Sequence, residues 1–425
     1  MSEFVILGDH ISVQKGKAPL ATGYAGQGAE PYLNPEYLRG RANADLVKAG
    51  SDAVRAVDGD TILLWDGSNA GEFFRAKAGL VASTMAKISP SKAFFPAYFF
   101  HVAKQAEIYL KSQTNGTGIP HVDRELLEAI RAFCPNLSEQ RVISAILNSL
   151  DTSIHETEAI INKLRAVKQG LLRDLLTQGI DANGELRPPH FEAPHLYKVS
   201  ALGRIPREWD VSGLAGVAPK DRPVIRTGPF GSSLKGEHWR EIGRPVVTIG
   251  SLGEAAFIAS ELLYVDEVTA ARLGDFELIP GDVVFSRVAD VGRSVVVSEN
   301  ERGWIMSSNF MRISCDPAKA RPHFLQLLLS SSVLVREQLR TTVNSAGRDV
   351  ANSAVLMGLS FPWPSPREQD EILRRVNAIG QLVVQEQAEL KKLLDGKSGL
   401  MDDLLTGRVR VTPLLAEVER EKECA

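Results

Sequence analysis

The stretch Pro135–Thr177, PNLSEQRVISAILNSLDTSIHETEAIINKLRAVKQGLLRDLLT, returns without a gap at Pro364–Thr406 as PSPREQDEILRRVNAIGQLVVQEQAELKKLLDGKSGLMDDLLT. Glu139-Gln140 falls on Glu368-Gln369, Asn148 on Asn377 and Lys163-Leu164 on Lys392-Leu393. The closing run Lys168, Gly170, Leu171, Asp174, Leu175, Leu176, Thr177 falls on Lys397, Gly399, Leu400, Asp403, Leu404, Leu405, Thr406. A repeat this long sets the architecture before any local reading. In each copy apolar residues step alternately by four and three: Ile143, Leu147, Leu150, Ile154, Ile161, Leu164, Leu171, Leu175, matched by Ile372, Val376, Ile379, Val383, Leu390, Leu393, Leu400, Leu404. That heptad seam predicts one long helix per copy, begun just after a proline. Thr157 and Lys168 interrupt the first seam and Glu386 and Lys397 the second, at matching places, and polar groups on a seam fix register or partner number. From Glu139 to Leu176 such a helix measures about 55 to 60 Å. Two antiparallel copies predict a rigid spacer. Its pairing and partner positions are Leu147, Leu150, Ile154, Thr157, Ile161, Leu164 and Lys168, with Val376, Ile379, Val383, Glu386, Leu390, Leu393 and Lys397.

Outward from the helices, 425 residues predict roughly two to four domains. With 44% apolar and 24% charged residues the composition is that of ordinary globular protein. The net charge of −3 excludes nucleic-acid binding by bulk charge, so any such contact must come from local basic surface or from a basic partner. Cys134, Cys315 and Cys424 are too scattered for a disulfide framework or a zinc site. That usage fits a reducing cytoplasm, and neither a membrane span nor a signal-peptide pattern is read from the sequence.

The first segment, 1–134, mixes short β-type runs with loops: Thr61–Trp65 follows a turn at Asp58-Gly59-Asp60, Gly79–Ile88 reads as a strand pair, and Phe94–Leu110 as a helix with Tyr98, Phe99, Val102 and Ile108 on its apolar face. Helix one occupies 135–180. Residues 181–205, rich in Pro and Gly, read as a connector that the Pro188-Pro189 pair keeps out of the helix. A second globular segment, 206–363, repeats the first loosely before helix two, 364–408, and a tail, 409–425. Gly59-Asp60 aligns with Gly281-Asp282, Lys87-Ile88-Ser89 with Arg312-Ile313-Ser314, and Asn115 and Gly118 with Asn344 and Gly347. The expected fold is α/β (α+β): two globular domains separated by two long antiparallel coiled-coil helices, in a tandem pseudo-twofold repeat.

The loop Thr227–Lys235, TGPFGSSLK, lies near Arg222, Arg226, Arg240 and Arg244 and has the makings of a phosphate-positioning loop, with close backbone N–H groups, serine hydroxyls and a lysine. A solvated turn has the same composition. Arg287, Asp290 and Arg293 leave a strand into a loop, and Trp65–Gly71, WDGSNAG, occupies the matching place in the first segment. Such side chains suit base-edge reading, and they are also ordinary hairpin-tip residues. Asn115 and Asn344 read as turn residues. No P-loop, nucleophile elbow or spaced histidine pair is present, and Asn34-Pro35-Glu36-Tyr37 only approaches the N-P-P-Y sequence of adenine methyltransferases. No catalytic residue and no metal ligand is assigned.

P-x-x-x-E-Q opening each helix, K-x-G-L-x-x-D-L-L-T closing each, Leu202–Trp209 (LGRIPREW) and Thr227–Ser232 (TGPFGS) make the whole chain resemble the specificity subunits of type I restriction-modification systems. The first segment departs from that pattern, having neither the L-G-x-I-P-x-x-W lead nor the T-G-P-F-G-S loop. The resemblance implies two target-recognition domains, each reading one half of a bipartite double-stranded DNA site, with helices that set the spacing and dock two modification subunits. The chain itself would be non-catalytic and carry no cofactor. S-adenosylmethionine would sit on the methylating subunits, with ATP and Mg on any restriction subunits. DNA-facing residues are then expected at Lys15, Lys17, Trp65, Ser68, Asn69 and Arg75, and at Arg226, Phe230, Ser232, Lys235, Arg287 and Arg293. Two other classes remain open at this level: a coiled-coil adaptor joining two protein-binding domains, and an enzyme with its own methyltransferase site.

Overall fold

The computed structural model describes residues 3–113, 120–254, 256–288, 290–345 and 350–413. Asn115, the glycine loop around it, Gly347, Cys424 and the end of the tail lie outside the described residues, as does the Asn344 side chain. The chain forms two compact units, one of residues 1–160 with 386–425 and one of residues 161–385.

Each unit is built on an antiparallel four-stranded sheet with the same spatial order. In the first it is Ile11–Lys15, Met85–Pro90, Thr61–Leu64, Phe73–Arg75; in the second, Ile225–Thr227, Phe310–Ile313, Val283–Ser286, Ser294–Val296. The third strand is entered through a turn that needs glycine, because Gly59 and Gly281 sit at φ +87° and +89°. The following aspartate closes that turn: Asp60 Oδ2 accepts from the Val57 N–H and Asp282 Oδ2 from the Ile279 N–H, both at 2.9 Å. It then faces a base on the neighbouring strand, Lys87 at 2.6 Å and Arg312 at 3.9 Å. The matches of Gly59-Asp60 with Gly281-Asp282 and of Lys87 with Arg312 are therefore one turn and its ion pair, built twice.

A second sheet in each unit contains one parallel pairing, Tyr32 with Leu80 in the first and Val246 with Ile305 in the second. A helix that starts on proline, Pro96–Ser112 or Pro322–Ser331, closes the core. Tyr98 and Phe99 pack with Leu63 and Phe73, and Phe324 and Leu328 with Val283 and Phe285, all of them buried. Burial of this kind contributes about 1.5–3 kcal/mol per large apolar side chain.

The two repeated stretches are helices Leu137–Thr177 and Pro366–Leu404, each about 60 Å long at about 1.5 Å per residue. Residues 137–160 and 386–404 lie in the first unit, where Lys397 pairs with Asp151. Residues 161–177 and 366–385 lie in the second, where a Cβ added at Gly380 would stand 3.9 Å from Lys168 Nζ. With Glu139 meeting Arg410 in the first unit and Ile180 meeting Glu368 in the second, the helical segments within each unit run antiparallel. The seam positions from Leu147 to Lys168 and from Val376 to Lys397 are buried or half-buried. Thr157 satisfies its hydroxyl on Ser153 O, 2.8 Å away and one turn back.

The repeated Glu-Gln pair has a structural task. Gln140 donates to Pro135 O and Ala93 O and accepts from the Phe95 N–H, and Gln369 does the same with Pro364 O, Lys319 O and the Arg321 N–H. Each buried amide thus ties the start of a long helix to the start of the proline-led helix. Glu139 is held by Arg410 at 2.7 Å and Thr412 at 2.9 Å, and Glu368 by Arg187 at 2.6 Å, the Trp209 indole N–H at 3.0 Å and the Ile180 N–H at 2.8 Å. In both units the segment leaving the end of one long helix clamps the carboxylate at the start of the other.

Four expectations need correction. Ile108 is 82% exposed, because the helix turns that residue away from the sheet. Gly79–Val81 and Met85–Pro90 are not partners; they belong to different sheets. Leu400 is exposed and Met401 packs on the core in its place. Residues 181–205 are not all irregular, since Tyr197–Ser200 pairs with Gly203–Pro206 and Leu202, Ile205 and Trp209 form a small buried cluster.

Candidate nucleic-acid interface

The hairpin tips between the third and fourth strands of each main sheet are equivalent. Trp65 N–H donates to Thr84 O at 2.8 Å and Arg287 N–H to Asn309 O at 3.1 Å, and each tip returns through a glycine with positive φ, Gly71 at +99° or Gly292 at +105°. In the first tip Trp65 is half-buried against the core, and Ser68 and Asn69 are exposed. In the second, Arg287 Nε donates to Ala351 O and Arg293 Nη2 to Ile249 O, both at 3.3 Å. These bonds hold the two guanidiniums half-buried. Asp290, between them, is exposed and has φ +60°, a strained conformation for a residue with a side chain and one that concentrates at functional loops.

Beside the second tip, Gly228 donates to Phe310 O at 2.9 Å, and a Cβ there would fall 2.0 Å from Ser307 O, so only glycine fits. Pro229 is buried, Gly231–Ser233 forms a single 3-10 turn closed by Ser233 N–H on Phe230 O at 2.8 Å, and Phe230, Ser232 and Lys235 face solvent. The first unit has a counterpart with a different sequence. Gly16 donates to Met85 O at 2.8 Å, and its Cβ would fall 2.2 Å from Ala82 O. The missing T-G-P-F-G-S motif therefore hid a loop that is present as Lys15-Gly16-Lys17-Ala18-Pro19-Leu20, and the lone signal for it was a glycine just after a strand.

Many of the basic side chains here have acidic partners. Lys15 meets Asp66 at 2.8 Å, Lys17 meets Asp52, Arg222 meets Asp282 at 3.1 Å, Arg226 meets Asp275, Arg240 meets Asp266 at 2.8 Å and Arg244 meets Glu267 at 2.8 Å. The hydrogen bond from Lys17 holds the Asp52 carboxyl below its ordinary range. Apart from Arg222, whose partner Asp282 is buried, these pairs are largely exposed and contribute little stability.

Arg75, like Arg287 and Arg293, is turned inward. It donates to Asn148 on the first long helix, lies 4.5 Å over the Phe100 ring and approaches His101 Nε2 at 3.2 Å. His101, fully buried, bonds Asn148 at 2.8 Å, and burial pushes its imidazole down to about 4. This network fixes the fourth strand, and with it the tip, to the helix. Among the described residues no His, Cys, Asp and Glu side chains gather as a metal site, and no helix is long and apolar enough to cross a membrane.

A duplicated α/β unit that presents the same two loops with different side chains defines a two-headed recognition protein. The comparisons with known proteins give the family. The sequence model of the type I restriction modification DNA specificity domain matches residues 2–166. The chain is 30% identical to the type I restriction enzyme MjaVIII specificity subunit of Methanocaldococcus jannaschii over 97% of this chain and 94% of that one. It is 20% identical to the EcoBI specificity subunit of Escherichia coli over 85% and 80% of the two chains. The crystal structure of the type I restriction-modification S subunit from M. genitalium shares the fold, with a TM-score of 0.59 at 14% identity over 95% of each chain. The chain belongs to the family of type I restriction enzyme specificity subunits, the non-catalytic members of their complexes.

Proposed function

We propose that the chain is the DNA-recognition subunit of a type I restriction-modification complex, in which each unit reads one half of a bipartite site. The observation that carries this is the matched pair of hairpin tips: the same place in each main sheet presents Trp65, Ser68 and Asn69 in one unit and Arg287, Asp290 and Arg293 in the other. One position in the fold with two side-chain sets is what two unlike half-sites require. Lys15 and Lys17 beside the first tip, and Arg226, Ser232 and Lys235 beside the second, serve the phosphates, with exchange of their carboxylate partners where they have one. Arg75 acts as a positioning residue. The long helices set the distance between half-sites and seat two modification subunits, which bring S-adenosylmethionine; restriction subunits, where present, bring ATP-driven cleavage. Such a complex works in the cytoplasm, on the cell's own DNA.

The test is to express the chain with its modification subunits and map methylated adenines across the host genome. A bipartite motif with a fixed spacer is expected, together with sequence-specific retention of that duplex in a gel shift. Retention that is independent of sequence would reject the reading.

A further inference from the structure

Phe230 is 86% exposed and Leu20 is 69% exposed, and each projects from the loop that leaves the glycine pressed against a carbonyl, Ser307 O or Ala82 O. Isolated exposed apolar side chains are common on protein surfaces. These two differ in that each follows the equivalent close-packed glycine of its unit, Phe230 two residues after Gly228 and Leu20 four residues after Gly16, on a loop fixed by further contacts. Behind Phe230 the loop is pinned by the Gly228 contact, the buried Pro229, the Ser233-to-Phe230 turn bond and Arg272, whose guanidinium holds Ser233 O at 3.2 Å. Behind Leu20 it is pinned by the Gly16 contact, the Lys17 pair with Asp52 and the Leu20 N–H on Lys48 O at 2.9 Å. These contacts fix the backbone of each loop and leave both side chains largely exposed, with Leu20 resting near Gly50. Each loop also carries a lysine, the exposed Lys235 in one and Lys17, paired with Asp52, in the other.

We infer that Phe230 and Leu20 are base-step wedges, one per half-site, which insert between stacked bases and deform the duplex as the neighbouring tip reads it. Phe and Leu are among the side chains that unstack DNA steps in this way. Sequence preference then arises also at the wedged step, where flexible pyrimidine–purine steps yield most easily. The inference rests on the DNA-reading function proposed above.

The test uses the full chain assembled with its modification subunits on duplexes carrying the mapped site, with 2-aminopurine replacing one base at a time away from the methylated adenine. A fluorescence rise is expected at one step in each half-site. Phe230→Ala should abolish the rise in one half-site and weaken specific binding at least about fivefold, the low end of what aromatic stacking on a base contributes; Leu20→Ala should abolish the rise in the other. Phe230→Leu should keep part of the signal. A wild-type complex that binds its site with no rise, or a rise that survives Phe230→Ala, overturns the wedge and leaves DNA reading intact. No specific binding by the wild-type complex overturns both.

Discussion

Glu139 is a carboxylate buried to 1% exposure at the start of a helix, and the Arg410 guanidinium, bonded to it, holds it below its ordinary value near 4.5. Because the folded-state value is lowered, the stability this pair contributes is present above the ordinary glutamate range and is lost as pH falls through the lowered value. Arg410→Met should therefore destabilise the first unit at pH 7 by about 2 kcal/mol, less than for a fully enclosed pair because Arg410 is partly open to solvent. It should also flatten the acid limb of the curve of urea midpoint against pH. His101 has the same sign for a different reason: burial lowers it to about 4 from 6.5, so its neutral form stabilises above 6.5 and loses that contribution as pH falls toward 4. At the tips, Arg287→Ala should relax discrimination at one position of one half-site by about 1–3 kcal/mol, measured by competition among single-base variants, with the other half-site untouched. Uniform loss across positions would make Arg287 a phosphate contact. The tips were legible as residue types at a strand end, but the inward bonds of Arg75, Arg287 and Arg293 were not, since they depend on carbonyls and rings far away in sequence.

At the scale of elements, the long helices were readable because a 3.5-residue period sustained over forty-odd positions has few alternative explanations. The strands were harder. Most are three to five residues long, and many pair with partners distant in the chain, as Ile88 with Val13 and Asp210 with Trp363. Strand preference depends on that context. Thus Gly79–Val81 and Met85–Pro90, adjacent in sequence, separate into two sheets. If the helices measure the spacer, four residues inserted into each at matched heights lengthen them by about 6 Å. The mapped spacer should then grow by roughly one or two base pairs at about 3.4 Å each. An unchanged spacer would show that something other than helix length sets it.

For the molecule as a whole, the pairing of surface arginines and lysines with carboxylates has a measurable result. The chain alone should hold DNA weakly, with a shallow dependence of affinity on salt, and the slope should steepen when modification subunits are added, because they supply phosphate contacts. A slope that the partners leave unchanged would assign those contacts to this chain instead. The doubled architecture itself was plain in the repeated stretch, but the way each unit is assembled was not: it follows from where Arg410 and Arg187 find their glutamates.

That assembly also orders events during translation. Residues 161–385 form one unit from uninterrupted chain, whereas the unit begun at the N-terminus is completed by residues beyond 385. Domains ordinarily close in the order in which they leave the ribosome. Here Glu139 stays unclamped until Arg410 emerges, 271 residues later, so the chain of the second unit is complete before the first unit's clamp can close.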